Sequence, residues 1–422
     1  MWKILKREVR NMNESLLLLK LITPIWTGDI DLKSDFIRST GIIGSLRLWT
    51  EVILRGMDYY ICDPTSDNRC PEKINNDLAY CPACLIFGAT GIRRLFRMEI
   101  NGIDIKKVFE GEVINIRPSG RNRGWYLGNG LIGNAELRVT TLDREGDDIL
   151  LILPLSIAAK WGAIGAKTQH GYGVVSLVNE QQLNIETFIN SLEKILGEER
   201  LKRLNIEKKR RSTDNNTLPN LKEMFFAKIQ FSVNEANWWE KIDGIKQALE
   251  PKNKKGEIDQ KLKEKNYQIL KAWYNSGSVP IAPAIKNWLR YGDGRTLWQT
   301  QSNIINHHIE NWLFGTVRDK KSASKINISC AYLKNDNQWE FRMWGWIPSQ
   351  ENPSGFNKQS FLENLKNSLN GKGSINIPWT NLLGNHIGEH KLLDWHEYNS
   401  PKDTKTPNES NLKKFLQSLL EG

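Results

Sequence analysis

Two successive runs of apolar patterning, each in the order strand, helix, strand, strand, helix, strand, predict an α+β protein built of two ferredoxin-like units. Three observations carry the prediction. The chain has 422 residues, more than a single hydrophobic core usually holds. The element order recurs on either side of a Lys/Arg-rich, then Asn/Thr/Pro-rich stretch. A Phe-Gly pair precedes the second strand of each run, Phe87-Gly88 and Phe314-Gly315, as duplication would leave it. The expected organisation is a first unit over 1–203, a linker over 204–221 around Lys208-Lys209-Arg210-Arg211, and a second unit over 222–422.

The first unit opens with the apolar run Ser15 to Ile22, a buried strand stopped at Thr23-Pro24, and continues into a turn containing Asp29, Asp31 and Asp35. From Ile42, apolar residues recur at spacings of three and four (Ile43, Leu46, Trp49, Ile53, Leu54), which predicts an amphipathic helix ending near Gly56 with Arg47 and Arg55 off its apolar set. Leu95 to Ile103 and Ala135 to Leu142 alternate as strands around a Gly/Asn/Arg-rich excursion, Arg117 to Asn134. Ile149 to Trp161 reads as a strand running into a short helix at Ser156 to Trp161, and Tyr172 to Val178 reads as the closing strand.

In the second unit, Met224 to Val233 is the first strand, and Ile281 to Tyr291 is a helix entered through prolines. Lys325 to Leu333 and Trp339 to Ile347 are the middle strands, Phe361 to Leu369 is a helix, and Ser374 to Ile377 is a short last strand. Bases cluster after each Phe-Gly: Arg93, Arg94 and Arg97 in one case, Arg318, Lys320 and Lys321 in the other.

A formal charge of +11 favours a polyanionic partner, since each base that neutralises a phosphate releases a counterion. No apolar run reaches the ~18 residues that cross a bilayer, and Met1 to Glu14 lacks the apolar core of a signal peptide, so a cytoplasmic protein is expected. Five cysteines in a chain of this size do not describe a secreted disulfide scaffold. Cys81-Pro82-Ala83-Cys84, with Cys62 and Cys70 upstream, offers four thiolates for a structural zinc ion, and Cys330 falls in a strand.

The segment Gly162 to Gly173 is the sharpest local signal. Its glycines would let backbone N–H groups approach a phosphate, with Lys167 adding charge and His170 a donor. It is neither a Walker loop nor a dinucleotide fingerprint, and an ordinary glycine-rich turn is the competing explanation. Sixteen tryptophans serve mainly as core, while Trp26 and Trp125 stand in loops where they could stack on bases, Trp125 beside the basic stretch Arg117 to Arg123.

The glycine loop between a second helix and a last strand resembles the signature of the RAMP superfamily of CRISPR-associated proteins. The opening Leu21-Ile22-Thr23-Pro24-Ile25-Trp26-Thr27-Gly28, then Ile37 to Trp49 and Cys81 to Gly88, is similar to the family of first subunits of the type III-B effector, the Cmr complex. That resemblance implies two RAMP domains with loop insertions. It also implies a non-catalytic role, binding crRNA near its 3′ end and helping to capture target RNA beside other Cmr subunits, which perform the cleavage, in antiviral defence. By position it carries over Arg38, Arg47 and Lys167 with its flanking glycines as RNA contacts. The candidate RNA-binding set is therefore Arg38, Arg47, Arg93, Arg94, Gly165, Lys167, Thr168, His170, Gly171 and Arg318. Family members usually place arginine near the end of the loop, where this chain has Thr168-Gln169-His170. The alternative function is a ribonuclease of the same superfamily, Mg²⁺-dependent through Asp31 or metal-independent through His170.

Overall fold

The computed structural model describes residues 14–422 apart from 29–30, 32, 68, 75–76, 112, 143–146, 180–181, 211–217, 300–305, 318–320, 351 and 406–410, and describes only the backbone of 198–210. The first unit contains β1 (Glu14–Ile25), α1 (Ser39–Gly56), α2 (Pro82–Phe87), β2 (Phe96–Gly102), β3 (Leu131–Thr141), α3 (Ile149–Trp161), β4 (Val175–Leu177) and α4 (Ile185–Arg210). Its sheet runs β2-β3-β1-β4 with every neighbour antiparallel, the ferredoxin-like arrangement. β1 alternates because Leu17, Leu19 and Leu21 point into the core while their neighbours are more exposed. Pro24 has no N–H for the ladder, and the register of β1 against β3 shifts between Leu21 and Ile25.

The second unit contains β5 (Met224–Val233), α5 (Gln260–Asn275), α6 (Ala282–Tyr291), α7 (His307–Phe314), β6 (Ile326–Ile328), β7 (Ala331–Asn335), β8 (Gln338–Trp346), α8 (Lys358–Leu369), β9 (Ile387–Glu397) and α9 (Leu412–Glu421). The sheet runs β7-β8-β5-β9, with β6 also on β8, so the strand order of the first unit is repeated. The Phe-Gly echo is structural as well. Gly88 and Gly315 each end a helix at positive φ (86° and 77°), and each is followed by a bridge closing the loop before the next strand, Ala89 with Ile92 and Thr316 with Ser322.

Four expectations change. Ile149 to Trp161 is helix throughout. The run shows no helical stripe because α3 is buried on nearly every face, with α1, α4 and α9 packed around it. The strand expected over Lys325 to Leu333 is broken into β6 and β7, because Cys330 N donates 2.9 Å across to Gly171 O of the first unit. Ser374 to Ile377 is not a strand, and the closing strand is β9. That strand has two register shifts against β5, which erase its alternation. Residues 204–210, expected in the linker, complete α4, which kinks at Gly197 (φ 61°).

The units share a buried joint. Trp161 packs against Phe226 of β5 (centroids 6.2 Å) and donates 2.7 Å to Leu419 O in α9, while Arg342 of β8 donates to the carbonyls of Ala159 (2.6 Å) and Gly162 (3.1 Å). The Arg117 to Asn134 excursion is part of the joint. Its strand Trp125–Leu127 pairs with Ile114–Ile116, and Ile114, Ile116 and Leu127 enter the core of the second unit.

Candidate nucleic-acid interface

The glycine loop leaves α3 at Gly162, returns into β4, and is stitched to the end of β1. Ala166 N donates 2.7 Å to Trp26 O, Gly173 N 2.9 Å to Pro24 O, and Thr23 Oγ1 accepts from Val174 N at 3.0 Å. The proline at the break in the β1 ladder thus leaves a carbonyl that the loop uses. The loop's glycines answer to packing. A Cβ on Gly171 (φ 99°) would lie 2.5 Å from Cys330 N, and one on Gly165 (φ 85°) 2.7 Å from Trp26 O. Gly171 is buried against the second unit, so of the loop candidates it presents no exposed surface to a ligand.

Gly165, Thr168 and Gln169 line a cleft of about 460 Å³ between the units. Leu48 and Trp49 of α1 form one wall, and Lys325, Trp344 and Trp346 form the other. Lys325 Nζ sits 4.8 Å from the Trp346 ring and 4.9 Å from Trp312, and burial lowers its pKa. Indole planes beside an ammonium suit an unstacked base. Lys325 and Trp346 were missed in the sequence because a core tryptophan and a cleft tryptophan look alike there, and only the facing helix makes the difference.

The remaining candidates part company. Lys167 adopts left-handed backbone (φ 58°) and lays its Nζ 3.2 Å from the Trp26 ring, where burial lowers its pKa. Trp26 itself is buried, edge-on to Tyr172, and Trp125 is half-buried. Arg47 is held by Glu51 (2.9 Å), Gly88 O (3.4 Å) and Cys84 Sγ (3.2 Å). Arg93 is exposed, while Arg94 lies over Phe96 and Arg38 over Phe36. Arg318 lies outside the described residues. His170 is largely buried, and desolvation with the nearby Lys286 and Lys167 charges pushes its pKa down to about 4. Asp31 is exposed, Asp35 pairs with Lys107 at 3.0 Å, and Asp29 lies outside the described residues.

Cys62, Cys70, Cys81 and Cys84 are buried and bring their Sγ atoms within 4.8 Å of one another. Cys62 Sγ stands 3.6 Å from Cys84 Sγ and 3.7 Å from Cys81 Sγ, too far for disulfides. Tetrahedral ligation with Zn–S bonds of about 2.3 Å places sulfurs roughly 3.8 Å apart, so the donor set fits such an ion. The guanidinium of Arg47 on Cys84 favours thiolate there. The two-residue spacing of Cys81 and Cys84 at the start of α2 was the sequence signal.

The profile of the RAMP superfamily matches residues 18–176. No curated protein matches the chain. Among solved structures it is similar to "Crystal structure of Cmr1 from Pyrococcus furiosus (apo form)", at 13% identity over 81% of this chain and 90% of that one, TM-score 0.33. It is also similar to a chain of "Cryo-EM structure of the Type III-B Cmr-beta bound to cognate target RNA", at 12% identity over 82% and 95%, TM-score 0.35. A third likeness, to "Crystal structure of Cmr6 from Pyrococcus furiosus", covers 40% of this chain and 99% of that one at 15% identity, TM-score 0.23. The matched residues run from β1 into β4 and include the glycine loop.

Proposed function

We propose that the chain is a non-catalytic RNA-binding subunit of a type III-B CRISPR effector, the Cmr complex, at the crRNA 3′ end of the backbone, where it helps capture target RNA for antiviral defence. The observation that carries this is a first unit that matches the RAMP superfamily over residues 18–176, joined to a second unit of the same strand order, with the glycine loop at the joint lining a cleft of aromatic and basic side chains. The chain's surplus of bases suits such a ligand. The placement within the complex rests on the resemblance of Leu21 to Trp49 and Cys81 to Gly88 to first subunits.

The catalytic alternative has weaker support. With a pKa near 4, His170 is a poor base at neutral pH and is mostly enclosed. Among the described residues, Asp31 and Asp35 do not form a metal-binding group. The four cysteines would hold a structural zinc ion under α1 and α2, fixing the loop that leads to β2. Among the described residues no helix is long and apolar enough to cross a membrane, and the proposed site of action is the cytoplasm.

Incubation of the purified chain with RNA and Mg²⁺ tests the reading. Binding without cleavage is expected. Cleavage abolished by Asp31→Asn would replace this proposal with the ribonuclease. Co-purification of partner proteins with a uniform short RNA tests the placement.

A further inference from the structure

A second, smaller cavity of about 80 Å³ lies where the glycine loop meets α6, and its wall includes Gln169 and His170 from the loop, Lys286 and Arg290 from α6, and Ser324 ahead of β6. It adjoins the aromatic cleft, since Gln169 and Ser324 line both. Lys286 is 8% exposed, and among the described residues it makes no hydrogen bond and no ion pair. An ammonium buried without an acceptor is strongly disfavoured unless a counterion meets it.

The described groups around it leave that charge unanswered. Arg290, one turn along α6, is fixed by Glu310 (2.9 Å), Asn311 Oδ1 (2.9 Å) and the carbonyls of Phe314 (3.4 Å) and Gly315 (3.0 Å). Glu310 also accepts from His307 at 3.2 Å and does not line the cavity. His170 Nδ1 is buried with no partner. The described lining therefore carries three basic side chains, two neutral polar ones and no carboxylate.

We propose that this cavity binds one phosphoryl group through Lys286, with Arg290 and His170 beside it, and that the aromatic cleft next to it takes the attached nucleoside. The anion site stands on the cavity alone, whereas its assignment to RNA rests on the RNA-binding reading above. The volumes agree with the division. The cleft falls within the roughly 300–1,000 Å³ of small-molecule pockets, while the cavity is far below it. Burial and Arg290 lower the Lys286 pKa to about 7, so an anion that binds there draws a proton onto the amine near neutral pH.

The test uses the full chain, with inorganic phosphate and short single-stranded RNAs bearing 5′-phosphate, 3′-phosphate or only hydroxyl ends. Phosphate should raise Tm in the wild type and not in Lys286→Met, a replacement that removes a buried charge and leaves the fold intact. Lys286→Arg should keep the response. A tenfold preference for one phosphorylated end, lost in Lys286→Met, assigns the group to that terminus. An equal tenfold loss for all three RNAs assigns it to the backbone. A phosphate response that Lys286→Met retains means an adventitious ion only and overturns the site. Absence of any response, with RNA binding unchanged in Lys286→Met, overturns it while leaving the RNA-binding reading standing. RNA binding absent from the wild type, with the phosphate response intact, supports the anion site and refutes that reading.

Discussion

Gly171 and Arg47 set out what a residue type can and cannot disclose. The glycines of the loop suggested a phosphate cradle, and their spacing is explained by contacts that the sequence could not contain, such as Cys330 N across the joint from Gly171. Gly171→Ala should cost at least about 2 kcal/mol, from overlap and positive φ together, read as a lower Tm with RNA affinity per folded molecule unchanged. Arg47 was named as an RNA contact from its place on α1, yet it is held by Glu51, Gly88 and Cys84. Arg47→Ala should therefore lower stability by about 2 kcal/mol, whereas Arg93→Ala should leave Tm alone and reduce the salt slope of RNA binding by about one.

Lys286 was invisible as a functional residue because a lysine inside an amphipathic helix reads as surface. Its lowered pKa gives a stability signature with a definite sign. Below about pH 7 folded and unfolded chains both carry the proton, and the burial cost is fully present. Between about 7 and the ordinary lysine value only the unfolded chain keeps it, so stability rises with pH by up to about 1.4 kcal/mol per unit. Lys228, lowered to about 8, acts in the same direction. The predicted result is a rise in Tm from pH 7 to 9 that is smaller in Lys286→Met. Equal rises in both proteins would contradict the assignment.

At the scale of elements, β1, α1, β2, β3, β5, β8 and α8 were legible because their apolar residues recur with the period of the element, and α6 through the prolines at its entry, although α6 and β8 are buried on nearly every face. α3 and β9 were not. α3 is surrounded, so its apolar run has no period, and β9 loses its period at two register shifts. The Phe-Gly repeat was legible as an echo of letters. Its physical content is a helix-ending glycine whose carbonyl an arginine from the preceding crossover helix holds, Arg47 on Gly88 and Arg290 on Gly315. The cysteine pair was legible through its two-residue spacing, and the convergence of Cys62 and Cys70 on it was not. About one zinc per chain is expected by elemental analysis, with a lower Tm after chelation and in Cys81→Ser. No metal, and no effect of chelator, would remove zinc from the account.

Over the whole molecule, two units of one plan are fused through buried contacts rather than strung on a linker. Phe226 of the second unit packs into the core around Trp161, Ile114, Ile116 and Leu127 of the first unit pack into the core of the second, and Arg342 donates across to Ala159 O. Trp161→Ala should cost roughly 3–5 kcal/mol and collapse both units in a single transition. Two separate transitions would mean that the units fold independently. The joint is also where the glycine loop, the aromatic cleft and the Lys286 cavity meet, so the composite surface exists only when the units are docked. The central claim is that this surface binds RNA and does not cut it. The most direct measurement is the affinity of the purified chain for a short single-stranded RNA across salt concentrations, with Mg²⁺ present and the RNA recovered afterwards. The prediction is intact RNA and a log–log slope steeper than about −2, from several phosphate contacts; a flat slope or shortened RNA would contradict it.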